Sequence, residues 1–264
     1  MGLNGVNSGG MCGRYILKST PQAIRDVFGY PEQPNMPAQY NIAPTMPISV
    51  VRNWEHRRQY ALMRWGLMPS WVKDPRDFTL LINARGETAA EKPSFKHAMK
   101  YRRCLIPADG FYEWKTDGGR KRPYAMMARH GGPMAFAGLW ETWMGPNGEE
   151  VDTAAIVTTQ ASRDITHIHH RMPVVIQPGE YEAWIDCLNV DVRDAGVLMR
   201  AAPEGFFECV EVSTAVNKVA NDTPDLLTAI TDAQREAEAP VAKVAVKRVV
   251  KAKVEEDSGQ GSLF

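Results

Sequence analysis

Cys12 follows a methionine in the stretch Met11-Cys12-Gly13-Arg14-Tyr15, and that position decides what its sulfur can do. A methionine ahead of a small residue is the context in which an initiator is removed. A chain read from Met11 therefore matures with the amine and the thiol of Cys12 both free. Such a 1,2-aminothiol, with an amine pKa of about 7.7–8.0 and a thiol near about 8.5, captures an aldehyde as an imine that the sulfur closes into a thiazolidine. An internal cysteine cannot do this. The plainer alternative is an ordinary dipeptide in an early strand, because free cysteine is among the most buried residue types. Taken alone, the stretch favours that alternative.

Glu113 lies in Phe111-Tyr112-Glu113-Trp114, a carboxylate flanked by aromatic surface. Burial there would raise its pKa toward the range a general acid needs. Strand alternation puts Phe111 and Glu113 on one face, with Tyr112 and Trp114 on the other, which equally allows Glu113 to be solvated. Both readings stay open. In His167-Ile168-His169-His170 an extended backbone would put His167 and His169 on one face, as in a two-histidine metal site. No further ligand has suitable spacing, so His169 as a proton shuttle is the stronger functional reading and no metal is expected. Asn83 and Arg85 alternate on one short segment, an amide to orient a polar group and a guanidinium to hold a phosphate. Arg14, Arg85 and Arg171, interleaved with Trp71 and Trp114, would suit single-stranded nucleic acid, phosphates on the arginines and bases on the indoles. On composition alone, structural roles for these residues outweigh that one.

These side chains need a scaffold, and the pattern around them predicts one rich in strands. Tyr15-Ile16-Leu17 reads as a short strand; Ser19-Thr20-Pro21 opens a helix with a capping hydroxyl, Ile24, Val27 and Phe28 form its core face, and Gly29 stops it. Strands are expected at 48–51, 60–65, 111–115, 154–159, 174–176 and 208–212, and helices near 94–103, 180–186 and 190–201. The segments 124–128 and 134–140 look like a hairpin turning at Gly131-Gly132. Helices fall between strands without regular βαβ alternation, which indicates an α+β fold with a mostly antiparallel, curled or barrel-like sheet and peripheral helices.

At 264 residues and 44% hydrophobic, the chain suits one globular domain with a tail. Thirty-one basic residues balance 31 acidic ones, so any attraction to a polyanion must come from a local patch. The four cysteines, Cys12, Cys104, Cys187 and Cys209, have no metal or disulfide spacing and suit a reducing compartment. With no apolar run long enough to span a bilayer and no leader pattern, a cytoplasmic protein is expected. Residues 1–10 read as a disordered extension, 11–235 as the domain, and 236–264 as a disordered basic tail.

Six blocks carry a resemblance: residues 11–15, Tyr40-Asn41-Ile42-Ala43-Pro44, Arg64-Trp65-Gly66-Leu67, the run 82–88 that starts at Ile82-Asn83, Cys104 to Trp114, and Ile168-His169-His170-Arg171-Met172-Pro173. In this order they resemble the SOS-response-associated peptidase (SRAP) family, abasic-site processing proteins that crosslink to single-stranded DNA. The resemblance implies a catalytic Cys12, Asn83, Glu113 and His169, and DNA contacts at Arg14, Asn41, Trp71, Arg85, Trp114 and Arg171. It further implies a covalent thiazolidine link to abasic sites, an autopeptidase step exposing Cys12, no cofactor, a monomer, and nucleoid association when bound to DNA. Ten residues precede Met11, a departure from the family's usual start; while they stay attached, Cys12 has no free amine. Two alternatives remain, a cysteine peptidase with Cys12 as nucleophile and His169 as base, and a non-covalent single-strand binder. At the end of the tail, Gln260, Leu263 and Phe264 resemble the motif that docks bacterial proteins on the replicative sliding clamp, or match it by chance.

Overall fold

The computed structural model describes residues 12–238. The expected extension at 1–10 and nearly all of the expected tail, with Gln260, Leu263 and Phe264, lie outside the described residues. In chain order the elements are β1 (Tyr15–Leu17), α1 (Pro21–Phe28), β2 (Gln39–Ile42), β3 (Pro47–Trp54), β4 (Arg57–Trp65), β5 (Asn83–Arg85), α2 (Gly86–Ala89) and α3 (Pro93–Tyr101). Then come β6 (Arg103–Ala108), β7 (Gly110–Asp117), β8 (Arg120–Ala128), β9 (Met134–Met144), β10 (Glu150–Gln160), β11 (Arg171–Pro173) and β12 (Val175–Ile176). The last are α4 (Tyr181–Ile185), α5 (Val192–Val197), β13 (Phe207–Glu211) and α6 (Asp232–Ala237).

Two sheets make the α+β fold. One runs β13-β8-β7-β1-β2. In the other, β10, β4, β3, β6 and β9 pair in turn, and β9 pairs back to β10, so these five strands close into a barrel. Closure removes the free edges that an open sheet would present. β5 and β11 lie along β10 beyond the barrel's own pairings. All pairings are antiparallel except those of β10 with β4 and β5.

The core fills the space where the two sheets face. Tyr15 on β1 meets the ring of Trp65 on β4 edge-on at 5.3 Å and Phe136 on β9 at 6.2 Å. Phe111 on β7 meets Phe136 at 6.0 Å. These edge-to-face contacts add specificity to the area the rings bury. A smaller cluster, Ile16, Tyr112, Ala125, Val212, Val216 and Leu226, covers the other face of the five-stranded sheet.

Local signals fix α1. The Thr20 hydroxyl accepts from the Ala23 N–H at 3.2 Å, Pro21 takes the first turn, and Gly29 closes the helix at φ 67° with its N–H on the Arg25 carbonyl at 2.8 Å. Its core face is narrower than expected: Ile24 and Phe28 are buried, whereas Val27 is 37% exposed. The expected hairpin between 124–128 and 134–140 does not form. β8 pairs with β7 and β13, whereas β9 pairs with β6, β10 and β12. The described residues hold two Gly-Gly pairs, and the tight turn is made at the first of these. Gly118 and Gly119, at φ 55° and 79°, close the two-residue loop between Asp117 and Arg120, the left-handed turn that matches strand twist. Gly131 and Gly132 also hold positive φ, but they carry the chain from one sheet to the other.

Candidate active site

β1 delivers Cys12 to β7. The antiparallel register sets Tyr15 opposite Phe111 and Ile16 opposite Gly110, and the Tyr112 N–H donates to the Arg14 carbonyl at 3.0 Å. Two residues further toward the N-terminus, ahead of β1, the Cys12 N–H donates to Glu113 Oε1 at 2.5 Å. Cys12 is fully buried and Glu113 is 4% exposed, so the carboxylate that alternation left open to solvent is roofed by the chain's own Cys12. Cys12 holds φ 31°, in a region non-glycine residues seldom occupy. A Cβ added to the neighbouring Gly13 would meet no atom within 4 Å, so free space borders this side of the site.

Two further elements close on the pair. β5, seated parallel to β10 with Asn83 opposite Ile156, brings the Asn83 side-chain N–H to the Cys12 carbonyl at 3.4 Å. His169 arrives just ahead of β11, its Nδ1 3.7 Å from Glu113 Oε1 and in reach of the Arg171 backbone, N–H at 3.2 Å and C=O at 3.3 Å. The segment before it is not extended. Ile165 and Thr166 turn back on the Ser162 carbonyl, and Ile168 on that of Ile165, so His167 does not share a strand face with His169. Among the described residues no group of three or more His, Cys, Asp or Glu is arranged to hold a metal.

Burial tunes the three titratable groups, and it moves each toward its neutral form. Desolvation lifts the Glu113 carboxyl to about 7, against opposing hydrogen bonds from the Cys12 and Trp114 backbone. Desolvation, and then the Glu113 charge, push the Cys12 thiol well above its usual value. Desolvation holds the His169 imidazole below its usual value, the Arg171 and Lys121 charges adding to it while a hydrogen bond with the Arg171 backbone opposes it. Near neutral pH, Glu113 and His169 are therefore not an ion pair. Glu113 is poised between acid and carboxylate beside a neutral imidazole, a pair suited to passing one proton.

The residues matched to DNA contacts fall into three groups. Trp71 is 57% exposed, its ring edge-on to Phe78 at 5.5 Å, and Arg85 is exposed at the end of β5. Arg14 and Trp114 are half-buried and share a partner loop. Arg14 donates to Asn41 Oδ1 at 2.9 Å and to the Val216 carbonyl at 2.8 Å, and the Trp114 indole N–H donates to Asn217 Oδ1 at 2.8 Å. Asn41 and Arg171 point inward. Asn41 is 1% exposed and gives its side-chain N–H groups to the carbonyls of Val216, Lys218 and Asn221. Arg171, 7% exposed, donates to both oxygens of Glu87 and to the Thr158 carbonyl. Sequence reasoning gave no role to Asn217 or Glu87. Glu87 stood in plain view two residues past Arg85, whereas no local pattern marks Asn217.

Beyond this geometry, the sequence model for the SOS response associated peptidase (SRAP) matches residues 11–219. The chain belongs to the SRAP family. It is 36% identical over 222 residues to the abasic site processing protein YoqW of Bacillus subtilis, covering 82% of this chain and 99% of that one. It is 35% identical to the abasic site processing protein HMCES of Gallus gallus, covering 79% and 73%, and 29% identical to YedK of Escherichia coli, covering 82% and 99%. Among solved structures, a protein from Bacteroides thetaiotaomicron shares the fold with a TM-score of 0.76 at 23% identity, over 83% of this chain and all of that one. A phage-related protein from Bordetella bronchiseptica superposes with a TM-score of 0.63 at 29% identity, over 76% and 94%. No helix among the described residues is long and apolar enough to cross a membrane.

Proposed function

We propose that this SRAP protein, once Cys12 carries a free amine, captures the ring-opened aldehyde of an abasic site in single-stranded DNA as a thiazolidine. The relatives named as abasic site processing proteins motivate the substrate. The observation that carries the chemistry is the Cys12 nitrogen held 2.5 Å from Glu113 Oε1, with the thiol on the same residue.

The steps balance with loss of one water. The amine adds to C1′ to give a carbinolamine, and protonated Glu113 donates to its departing hydroxyl, leaving an iminium. The sulfur then adds to C1′ as its proton is taken up by Glu113 or His169, and the ring nitrogen is left neutral. Asn83, donating to the Cys12 carbonyl, orients the aminothiol throughout. Holding both nucleophiles on one residue makes ring closure intramolecular, an advantage worth up to about 7–11 kcal/mol of barrier. Trp71 and Arg85 supply an exposed base platform and a phosphate contact, while Asn41 and Arg171 brace the residues around them. Residues 1–11 must first leave, by start-site choice and methionine removal or by self-cleavage; the positive φ at Cys12 favours release by adding strain of about 1–3 kcal/mol.

The test mixes protein beginning at Cys12, and separately the full chain, with a single-stranded oligonucleotide bearing one abasic site. The expected result is a species on denaturing electrophoresis whose intact mass is protein plus DNA minus water, formed at once by the Cys12 form. The full chain should form it only after losing residues 1–11. Salt-sensitive binding with no such species from either form would leave a non-covalent binder and refute the reading.

A further inference from the structure

Glu87 touches none of the reacting groups, yet it ties together the two segments that bring Asn83 and His169 to Cys12. It sits in α2, directly after β5, and both its carboxylate oxygens accept from the Arg171 guanidinium on β11. Arg171 is further pinned by the Thr158 carbonyl at 2.8 Å on β10, the strand flanked by both β5 and β11. With its side chain clamped this way, the Arg171 backbone is fixed where His169 needs it. Nδ1 can accept from the Arg171 N–H at 3.2 Å or donate to the Arg171 C=O at 3.3 Å, so the imidazole has a partner whichever nitrogen carries the proton.

We propose that Glu87 is a positioning residue for His169, holding the Arg171 backbone against the imidazole and balancing the Arg171 charge beside it. This rests on His169 acting as the proton shuttle of the reaction above. The charged and titratable groups around His169 are Glu113 at 3.7 Å, Arg171, Lys121, and His170, whose ring lies 4.5 Å away; Arg85 adds a cation beside His170 and Glu87. Among these, the Arg171 and Lys121 cations oppose the imidazolium. Glu87 offsets the first of them.

The test is the titration of His169 in the full chain, followed by the NMR signals of its ring, for wild type, Glu87→Gln and Glu87→Asp. The Glu87 side chain is 45% exposed, so Gln fits without a new buried contact. Glu87→Gln leaves Arg171 uncompensated, and the His169 midpoint should fall by roughly half a pH unit, about a threefold change in protonation. Glu87→Asp keeps the charge and should hold the midpoint near that of wild type. For protein beginning at Cys12, the acid limb of the crosslinking rate should move with the midpoint in Glu87→Gln and stay in Glu87→Asp. A folded Glu87→Gln protein with an unmoved midpoint, or an equal shift in both variants, overturns the proposal. If the midpoint behaves as expected but wild type crosslinks no abasic site, the proposed function fails and the positioning role of Glu87 stands.

Discussion

Replacing Glu113 by glutamine should abolish fast crosslinking and, at alkaline pH, make the full chain more stable. A carboxyl that titrates at about 7 when folded and near 4.5 when unfolded holds its proton more tightly in the native state. Its favourable contribution is therefore complete below about pH 4.5 and is lost as pH rises through about 7. At 1.36 kcal/mol per unit the span gives about 3 kcal/mol at most, the cost of keeping an ionised carboxylate at a site 4% exposed. Gln carries no charge, so its stability is free of that decline, and its side-chain oxygen can still accept from Cys12. The assay is a pair of thermal melts, at pH 5 and pH 8, for wild type and Glu113→Gln. Relative to pH 5, the variant should gain about 5–10 °C on wild type at pH 8, taking about 2–4 °C per kcal/mol for a domain of this size. The same pair of melts on protein beginning at Cys12 should give a smaller gain, because a free ammonium beside Glu113 favours the carboxylate. An equal difference between wild type and variant at both pH values would mean that Glu113 titrates normally, and the argument for it as the acid would fall with that result.

Cys12→Ala should eliminate the denaturation-resistant species while sparing salt-sensitive binding to single-stranded DNA, and deleting one buried sulfur costs about 1 kcal/mol in a melt. Trp71→Ala should leave the melting temperature unchanged, since the ring is 57% exposed, yet weaken single-strand binding about tenfold or more through one lost stacking platform. Arg85→Ala should weaken binding across sequences and reduce the slope of log affinity against log salt by about 0.7, read from titrations at several salt concentrations. Gly110→Ala should destabilise by about 2–3 kcal/mol, because the new Cβ would stand 2.6 Å from the Met126 carbonyl oxygen and 2.4 Å from the Met127 sulfur. Its melt would drop as β8 is pushed from β7, and crosslinking would slow as β7, which carries Glu113, shifts under Cys12.

What could be read from sequence was carried by short-range signals. Thr20, Pro21 and Gly29 bracket α1 because capping is a matter of three or four neighbouring residues. Four of the barrel's five strands could be read as strands, β6 could not, and the pairing of none could. Two Gly-Gly pairs offered the same turn chemistry, and only competition for partners across two sheets decided that β8 folds back on β7. Val27 had the spacing of a core residue and lay at the margin of a stripe only two residues wide. Glu113 could be read as a carboxylate among aromatics, but its burial depends on Cys12, 101 positions earlier, returning over it. The same holds for Asn41, satisfied by carbonyls some 175–180 positions away. Chemistry-bearing residue types are visible one at a time, whereas their exposure depends on what the fold brings across from elsewhere.

The seam between the two sheets is a fitting place for the proposed reaction. Glu113 comes from the five-stranded sheet and Cys12 from the segment leading into it, Asn83 and His169 come from β5 and the segment ahead of β11 beside the barrel's β10, and one physical cause, burial, favours the uncharged forms of the thiol, carboxyl and imidazole. Iminium formation changes that balance at a single atom. A positive charge develops on the Cys12 nitrogen, within hydrogen-bond distance of Glu113 and away from bulk water, where the attraction is far stronger than at the surface. The carboxyl that was costly to ionise in the empty site is now favoured to ionise, so the proton it releases goes to the departing hydroxyl at the moment the iminium appears. The interaction is weak in the ground state and strong in the transition state, which is the difference that accelerates a step. Closure by the sulfur reverses it: the nitrogen becomes neutral, the Cys12 thiol proton reaches Glu113 directly or by way of His169, and the site ends as it began, with the abasic carbon bonded to both nitrogen and sulfur.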